Sequence, residues 1–343
     1  MDIEALKKTA TFMMRKEKGI LAADESERTA GKRLNLIGVE NTSENRRKYR
    51  DLFLNTDGIE AYISAVILHE ETLDQSNNEG VPFVDSLIGR DIVPGIKADK
   101  STYDFAGFPG EKVTAGLDGL RERLQVFYKK GARFAKWRSV ITIGEGIPTP
   151  ECIHTNIIDL AQYARICQEE GIVPMVEPEV LLSGTHTIEK SEEILHEVIS
   201  TLFYQLKRYK VQEEAVILKT SMVLPGSESG QMVDNEEVGE RTVRVLKDTV
   251  PEYVPGIVFL SGGQHPVPAT EHLDAITSLG PFPWELAFSY ARALQGPSLE
   301  IWQGEEENIE KARDEFIKRL ELAVAADMGV YTRELEQMHL DED

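Results

Sequence analysis

The feature that most constrains this chain is an alternation. Short apolar, strand-like runs are followed by polar loops and then by amphipathic helical runs. The strand-like runs are, in order, Gly19–Asp24, Ala61–Leu68, Ile92–Lys97, Ala132–Arg138, Val173–Glu179, Ala215–Ser221, Gly256–Gly262 and Trp284–Tyr290. Helical stretches lie between them at Glu44–Asn55, Gly116–Lys130, Pro150–Glu170, Lys190–Lys210, Asn235–Thr249, Pro266–Ser278 and Glu305–Met328. In Lys190–Lys210, Ile194, Val198, Ile199, Leu202, Phe203 and Leu206 fall on one helical face. Alternating β and α units imply a parallel sheet covered by helices, and eight of them imply closure into a (β/α)8 TIM barrel of the α/β class. The alternative is an open doubly wound sheet, which carries a glycine-rich phosphate loop after its first strand. Here that strand runs into Asp24-Glu25-Ser26-Glu27, with neither G-x-G-x-x-G nor a P-loop. We expect one barrel domain over 1–343, with an N-terminal helix in 1–18 and a flexible C-terminal tail in 329–343.

Charge narrows the function classes. The 343 residues include 59 acidic and 38 basic ones, for a net charge of −21. That field disfavours nonspecific binding to nucleic acid or to an anionic membrane. Any anion site must therefore gather its cations locally. Two cysteines, Cys152 and Cys167, exclude a disulfide framework and fit a reducing compartment. No apolar run approaches the roughly 18 residues of a membrane span, and the first residues lack an apolar leader core. A soluble, cytoplasmic protein is expected.

Charges then occur where a barrel strand should be apolar. Residues i and i+2 of a strand share a face, so Lys136 with Arg138, and Glu177 with Glu179, are same-face pairs near strand ends. Asp24, Lys97, Lys219 and Ser261 fall at the same end of other strands. Barrel enzymes carry their chemistry at that end. Such charges are either a solvated rim of inert ion pairs or a mixed-charge pocket, and their number favours the pocket, since gathered charges are costly unless paired or used. Two chemistries fit it. In one, a lysine activated by burial and a neighbouring cation attacks a carbonyl while carboxylates move protons. In the other, Asp24, Glu177 and Glu179 hold a metal ion. The seven histidines form no H-x-H or H-E-x-x-H motif, and Lys136 and Lys219 would repel a cation. The substrate should be anionic: Lys97, Arg138 and Arg292 are candidate phosphate ligands. Ser261-Gly262-Gly263 could offer backbone N–H groups to a second phosphate. Ser26 and Thr29 could cap the next helix or hold a phosphate at its N-terminus.

The sequence resembles the class I, Schiff-base fructose-bisphosphate aldolases over nearly its whole length. The motifs that carry the resemblance are G-I-L-A-A-D-E-S (19–26), G-I-K-A-D-K (95–100), G-L-D-G-L (116–120), G-A-R-F-A-K-W-R (131–138), P-M-V-E-P-E (174–179), V-I-L-K-T-S-M-V-x-P-G (216–226), L-S-G-G-Q (260–264) and F-S-Y-A-R-A-L-Q (288–295). The resemblance implies reversible cleavage of fructose 1,6-bisphosphate to dihydroxyacetone phosphate and glyceraldehyde 3-phosphate, in glycolysis and gluconeogenesis, with no metal or other cofactor. It implies that Lys219 forms the Schiff base, that Glu177 is the acid/base, and that Glu179 is its carboxylate neighbour. Lys136 would tune the site, and Asp24 would take the C4-hydroxyl proton. Arg292, Ser261 and Gly262 match the C1-phosphate site; Ser26, Thr29, Lys97 and Arg138 match the C6-phosphate side, which Arg33 also approaches. A homotetramer and small sugar-phosphate partners are implied in the same way.

The chain departs from the family in three places. It ends Met-His-Leu-Asp-Glu-Asp rather than in a terminal tyrosine, and its last tyrosine, Tyr331, matches the start of the family's tail. Ala291 replaces the glycine that usually precedes the phosphate arginine, and His265 stands where relatives often have serine. Two further readings stay open at this point: a barrel that binds sugar phosphates or proteins without turnover, and a transaldolase-like Schiff-base enzyme. Cys152 and Cys167 read as ordinary thiols, and Trp137 should point outward beneath the helices.

Overall fold

The computed structural model describes residues 1–338. Among the described residues ten strands occur: β1 Gly19–Ala23, β2 Ile63–Leu68, β3 Val93–Lys97, β4 Thr102–Asp104, β5 Lys112–Thr114, β6 Phe134–Ile141, β7 Val173–Val180, β8 Ile217–Thr220, β9 Gly256–Phe259 and β10 Glu285–Phe288. The helices are α1 Ile3–Met13, α2 Glu27–Leu36, α3 Ser43–Leu54, α4 Phe83–Gly89, α5 Leu120–Lys129, α6 Pro150–Glu169, α7 Ile188–Arg208, α8 Asn235–Thr249, α9 Pro266–Thr277, α10 Arg292–Trp302, α11 Ile309–Asp327 and α12 Arg333–Met338.

Eight strands pair in the order β1-β2-β3-β6-β7-β8-β9-β10, every pair parallel. The sheet nearly closes on itself. At the seam, Ala22 N–H donates to the carbonyl of Tyr290, just past β10, at 2.9 Å. This is the expected (β/α)8 barrel. The expected strand runs are all present, although β6 and β7 continue beyond Arg138 and Glu179 and Ser261 lies two residues past the end of β9.

Strand alternation splits the interior into two cores. Outward residues such as Leu21, Val66, Ile96, Val176, Leu218 and Phe259 pack beneath the helices. Trp137 belongs to this outer core, 5.4 Å between ring centroids from Tyr163 of α6, as expected. Inward residues Ile20, Ala22, Ala65, Ile67, Phe134, Val173, Met175, Ile217, Val258 and Ala287 fill the lumen. Helix α1 covers the lower end of the lumen with Leu6, Ala10, Met13 and Met14. Two glycines make this filling possible. A Cβ on Gly95 would lie 2.2 Å from the Phe134 ring, and one on Gly256 would lie 2.4 Å from Met14.

Helices α4, α10 and α12 and a hairpin were not foreseen, and α2 was anticipated only through its cap at Ser26. Helix α2 is strongly polar and carries Gly31, so its period is weak. Helix α4 has only 7 residues. Helix α10 contains Gly296 and Pro297, which read as breakers in sequence. The β4–β5 hairpin rises from the loop after β3. Part of the segment expected as a tail is docked. Tyr331 is buried and donates to Glu336 at 3.0 Å, and Arg319 donates to the same carboxylate at 2.8 and 2.7 Å. The remainder of that expected tail, 339–343, lies outside the described residues.

Replacing Gly95 with alanine forces the Phe134 ring out of its place in the lumen. We expect a loss of roughly 1–3 kcal/mol of stability, read in urea unfolding as a lower midpoint with an unchanged slope.

Candidate active site

The inward parity that fills the lower lumen continues upward into charge. In β6 the inward series is Phe134, Lys136, Arg138; in β7 it is Val173, Met175, Glu177, Glu179; in β8 Ile217 is followed by Lys219. Asp24 and Lys97 extend β1 and β3 on the same face. Register holds these neighbours in place: Lys97 lies beside Lys136 and Arg138 beside Glu177. Above this layer opens a cavity of about 630 Å³. Every residue expected at the site lines it: Asp24, Ser26, Thr29, Arg33, Lys97, Lys136, Arg138, Glu177, Glu179, Lys219, Ser261, Gly262 and Arg292.

Lys136 is the hub. Its buried ammonium lies 2.7 Å from Asp24 and 3.0 Å from Glu177. The other oxygen of Glu177 lies 3.4 Å from Lys219. One carboxylate thus stands between two buried lysines. Burial alone would strip the proton from Lys136, but Asp24, Glu177 and Asp99 outweigh it and hold the proton firmly. Burial likewise pushes Asp24 up, yet Lys136, Lys219 and Lys97 bring it well below the usual carboxylate range. In the resting site Lys136 is therefore a cation and Asp24 an anion. Lys219 is also buried, and its one carboxylate contact, to Glu177 at 3.4 Å, is longer than either contact of Lys136. Glu179 pairs with Arg138, whose guanidinium keeps its charge because Glu179 overcomes the cost of burial.

Two helix N-termini face this layer. Ser26 caps α2, its hydroxyl accepting from Thr29 N–H at 3.3 Å and lying 3.1 Å from the Thr29 hydroxyl. Both hydroxyls also line the cavity, so capping and exposure to a ligand coincide. Beside it, across the seam where the first and last strands meet, α10 begins at Arg292. The turn after β9 approaches it, with Gly262 at φ +57 and Gly263 at φ +101. A Cβ on Gly263 would stand 3.2 Å from the Arg292 guanidinium, so glycine allows the backbone to come this close. Ala291, which replaces the expected glycine, has φ −112 and needs no left-handed backbone.

Several site residues escaped the sequence reading. Asp99 pairs with Lys97 and accepts from the backbone N–H groups of Ser101 and Arg138 at 3.0 and 3.3 Å. Its i+2 spacing from Lys97 was a usable signal. Glu25 pairs with Arg33 and Arg50 and accepts from the Tyr49 hydroxyl at 2.9 Å. Arg33 also reaches Tyr49 at 2.8 Å and Gln295 at 2.6 Å, so it lines the cavity while anchored to a buried scaffold. Exposed Arg28 and Lys32 of α2 add cations at the mouth.

The chain is similar to known proteins over nearly its whole length. A family profile described as fructose-bisphosphate aldolase class I matches residues 5–343. A Xylella fastidiosa protein named "Probable fructose-bisphosphate aldolase class 1" is 50% identical over 320 residues, covering 93% of this chain and 96% of its own. The cytosolic fructose-bisphosphate aldolase 4 of Arabidopsis thaliana is 49% identical over 315 residues, covering 92% of this chain and 80% of its own. Among solved structures, the Plasmodium falciparum aldolase in complex with TRAP and a small-molecule inhibitor superposes with a TM-score of 0.94. It is 47% identical and covers 96% of this chain and 95% of its own.

Replacing Lys136 with methionine leaves Asp24 and Glu177 buried without their shared cation. We expect a loss of roughly 3–5 kcal/mol at neutral pH. The sign with pH follows from linkage. In the parent protein the depressed carboxyl of Asp24 contributes stability above its unfolded-state value, lost only in strong acid. In the variant, burial raises the Asp24 carboxyl that Lys136 no longer holds down, so acid restores stability. Chemical unfolding at pH 7 and pH 4.5 should show the deficit shrinking as pH falls.

Proposed function

The chain belongs to the class I fructose-bisphosphate aldolase family, and on that premise we propose that Lys219 is the amine that forms the Schiff base. The observation that carries this assignment is the asymmetry between the two lysines on Glu177: Lys136 is locked by two carboxylates at 2.7 and 3.0 Å, while Lys219 stands 3.4 Å away from one. The protein is a lyase that cleaves fructose 1,6-bisphosphate reversibly.

In this reading Lys219 Nζ attacks the C2 ketone. Glu177, having taken a proton from the Lys219 ammonium to free the attacking amine, returns it to the carbinolamine hydroxyl, so that water leaves and a protonated imine remains. Asp24 accepts the C4-hydroxyl proton. The C3–C4 bond then breaks, its electron pair moving onto C3 and into the iminium, and glyceraldehyde 3-phosphate departs. Protonation at C3 and hydrolysis of the imine release dihydroxyacetone phosphate and regenerate Lys219. Lys136 keeps Asp24 ionised in the resting site and Glu179 holds Arg138 in place. The anchoring role of the two phosphates falls to the two helix N-termini. Arg292, Ser261 and Gly262 would take the C1 phosphate, and Ser26, Thr29, Lys97, Arg138 and Arg33 the C6 side.

The iminium serves as the electron sink, so this route needs no metal ion. Asp24, Glu177 and Glu179 already answer Lys136, Lys219 and Arg138, a donor set matched to protein cations. Placement in glycolysis and gluconeogenesis, a cytoplasmic location and a homotetramer are carried from the family and the cytosolic Arabidopsis relative. Among the described residues no helix is long and apolar enough to cross a membrane.

Borohydride reduction in the presence of dihydroxyacetone phosphate and EDTA should fix one adduct on Lys219, mapped by peptide mass spectrometry. Lys219→Ala should take cleavage to background, and normal turnover by that variant in EDTA would overturn the mechanism. Arg292→Ala should raise KM on the order of 10–100-fold, the loss of a charge-assisted hydrogen bond, with steady-state kinetics as the check.

A further inference from the structure

The turn that offers Gly262 and Gly263 to the cavity is held from behind by a side chain outside the cavity. Gln264 N–H donates to the Ser261 carbonyl at 2.9 Å, closing the turn. The Gln264 side chain is buried and spans two elements. Its Oε1 lies 2.6 Å from Nδ1 of His272 on α9, and its Nε2 donates to Met222 Sδ at 3.6 Å. This amide orientation satisfies both ends: the oxygen meets a ring N–H and the NH2 meets a sulfur that can only accept. Met222 follows shortly after Lys219 on the same chain segment, and Leu260 N–H donates to the Thr220 carbonyl at 3.0 Å. The turn is thus moored both to α9 and to the segment that carries the reactive lysine.

Packing alone does not hold it. A void of about 10 Å³ lies directly behind the turn, lined by Ser221, Met222, Ser261, Gly262 and Gln264 among others. Both central residues of the turn are glycines with positive φ, the backbone with the most freedom to lose. Helix α9 is, by contrast, tied down. The Tyr290 hydroxyl donates to the Ala269 carbonyl at 2.9 Å, Arg319 donates to Thr270 at 2.9 Å, and Tyr331 N–H donates to Asp274 at 2.9 Å. His272 therefore rides on a fixed helix.

We infer that His272 is a positioning residue for the phosphate turn. Acting through Gln264, it fixes the backbone N–H groups of Gly262 and Gly263 where the phosphate of the substrate's ketone end must sit. Burial holds His272 down to about 4, so the ring is neutral at working pH and its Nδ1 hydrogen is available to Gln264 throughout. The inference rests on the proposed phosphate site and adds to it a residue that touches no substrate.

The test is steady-state cleavage of fructose 1,6-bisphosphate by His272→Leu, Gln264→Leu, the double variant and His272→Asn, with competition by inorganic phosphate. Loss of one neutral hydrogen bond should raise KM and the phosphate inhibition constant together by roughly 3–10-fold, with kcat changed less than twofold. The double variant should be no worse than Gln264→Leu alone, because that variant has already lost the bond to His272. His272→Asn, which keeps a donor, should recover most of the loss. An unchanged KM in a folded His272→Leu, or penalties that multiply in the double variant, would overturn the inference. Should His272→Leu unfold, Gln264→Leu and His272→Asn carry the same comparison. Failure of the parent protein itself to cleave the bisphosphate would count against the proposed function, whereas a working parent with indifferent variants counts only against His272.

Discussion

Every inward side chain of a closed parallel barrel has to be satisfied by other inward side chains, because the strands wall the lumen off from the helices and α1 covers one end. In the lower lumen this is met by apolar filling around Phe134, Met175 and Ile217. One step higher along the same parity it is met by charge. Lys136 stands between Asp24 and Glu177, and Glu177 reaches on to Lys219. Burial alone would draw the proton off Lys136 and push the Asp24 carboxyl up, and it is their pairing that keeps both charged. The charged layer is stable only as a set, and the set is what makes two chemically similar lysines different.

That interdependence explains how an anion site exists in a chain of net charge −21. The acidity is spread over the molecule, while Lys97, Arg138, Arg292, Arg28 and Lys32 converge on one cavity. Their like charges are tolerable because Asp99 and Glu179 sit among them, while two helix N-termini add partial positive charge that draws an anion without requiring further cationic side chains. Glu25 serves the same end from below, fixing Arg33 and Arg50 so that α2 and α3 present a constant face. The cavity is preorganised by pairs whose members mostly line it, with Arg50, Tyr49 and Gln295 bracing Glu25 and Arg33 from outside the lining.

Much of this was legible in the chain. The strand-helix alternation gave the barrel, and the i, i+2 charges at Lys136/Arg138 and Glu177/Glu179 marked the mouth, because both are local periodicities that survive without knowledge of neighbours. What stayed hidden was structure whose reason is not local. Helix α10 carries Gly296 and Pro297 and forms nevertheless, packed through Leu294, Leu299 and Trp302 into the outer core. Helix α2 has too few apolar residues to announce itself; it is held by its Ser26 cap and by Ala30 and Leu34 against that same core. Asp99 was visible within a quoted motif, but its value lies in binding Lys97 and the backbone of Arg138 on another strand.

The sequence by itself determined which residue types occur at which strand parity, and hence that cations and carboxylates would share one end of a barrel. Only the tertiary structure decided who pairs with whom: that Glu177 bridges two lysines, that Arg33 turns toward Glu25, and that Gln264 ties a phosphate turn to His272. The physical reason is that parity is fixed by the backbone of a single strand. Partnership across the lumen depends instead on closure, register and the competition of each charge for the few partners within about 4 Å, where Coulomb energy and hydrogen bonding outweigh the cost of leaving water.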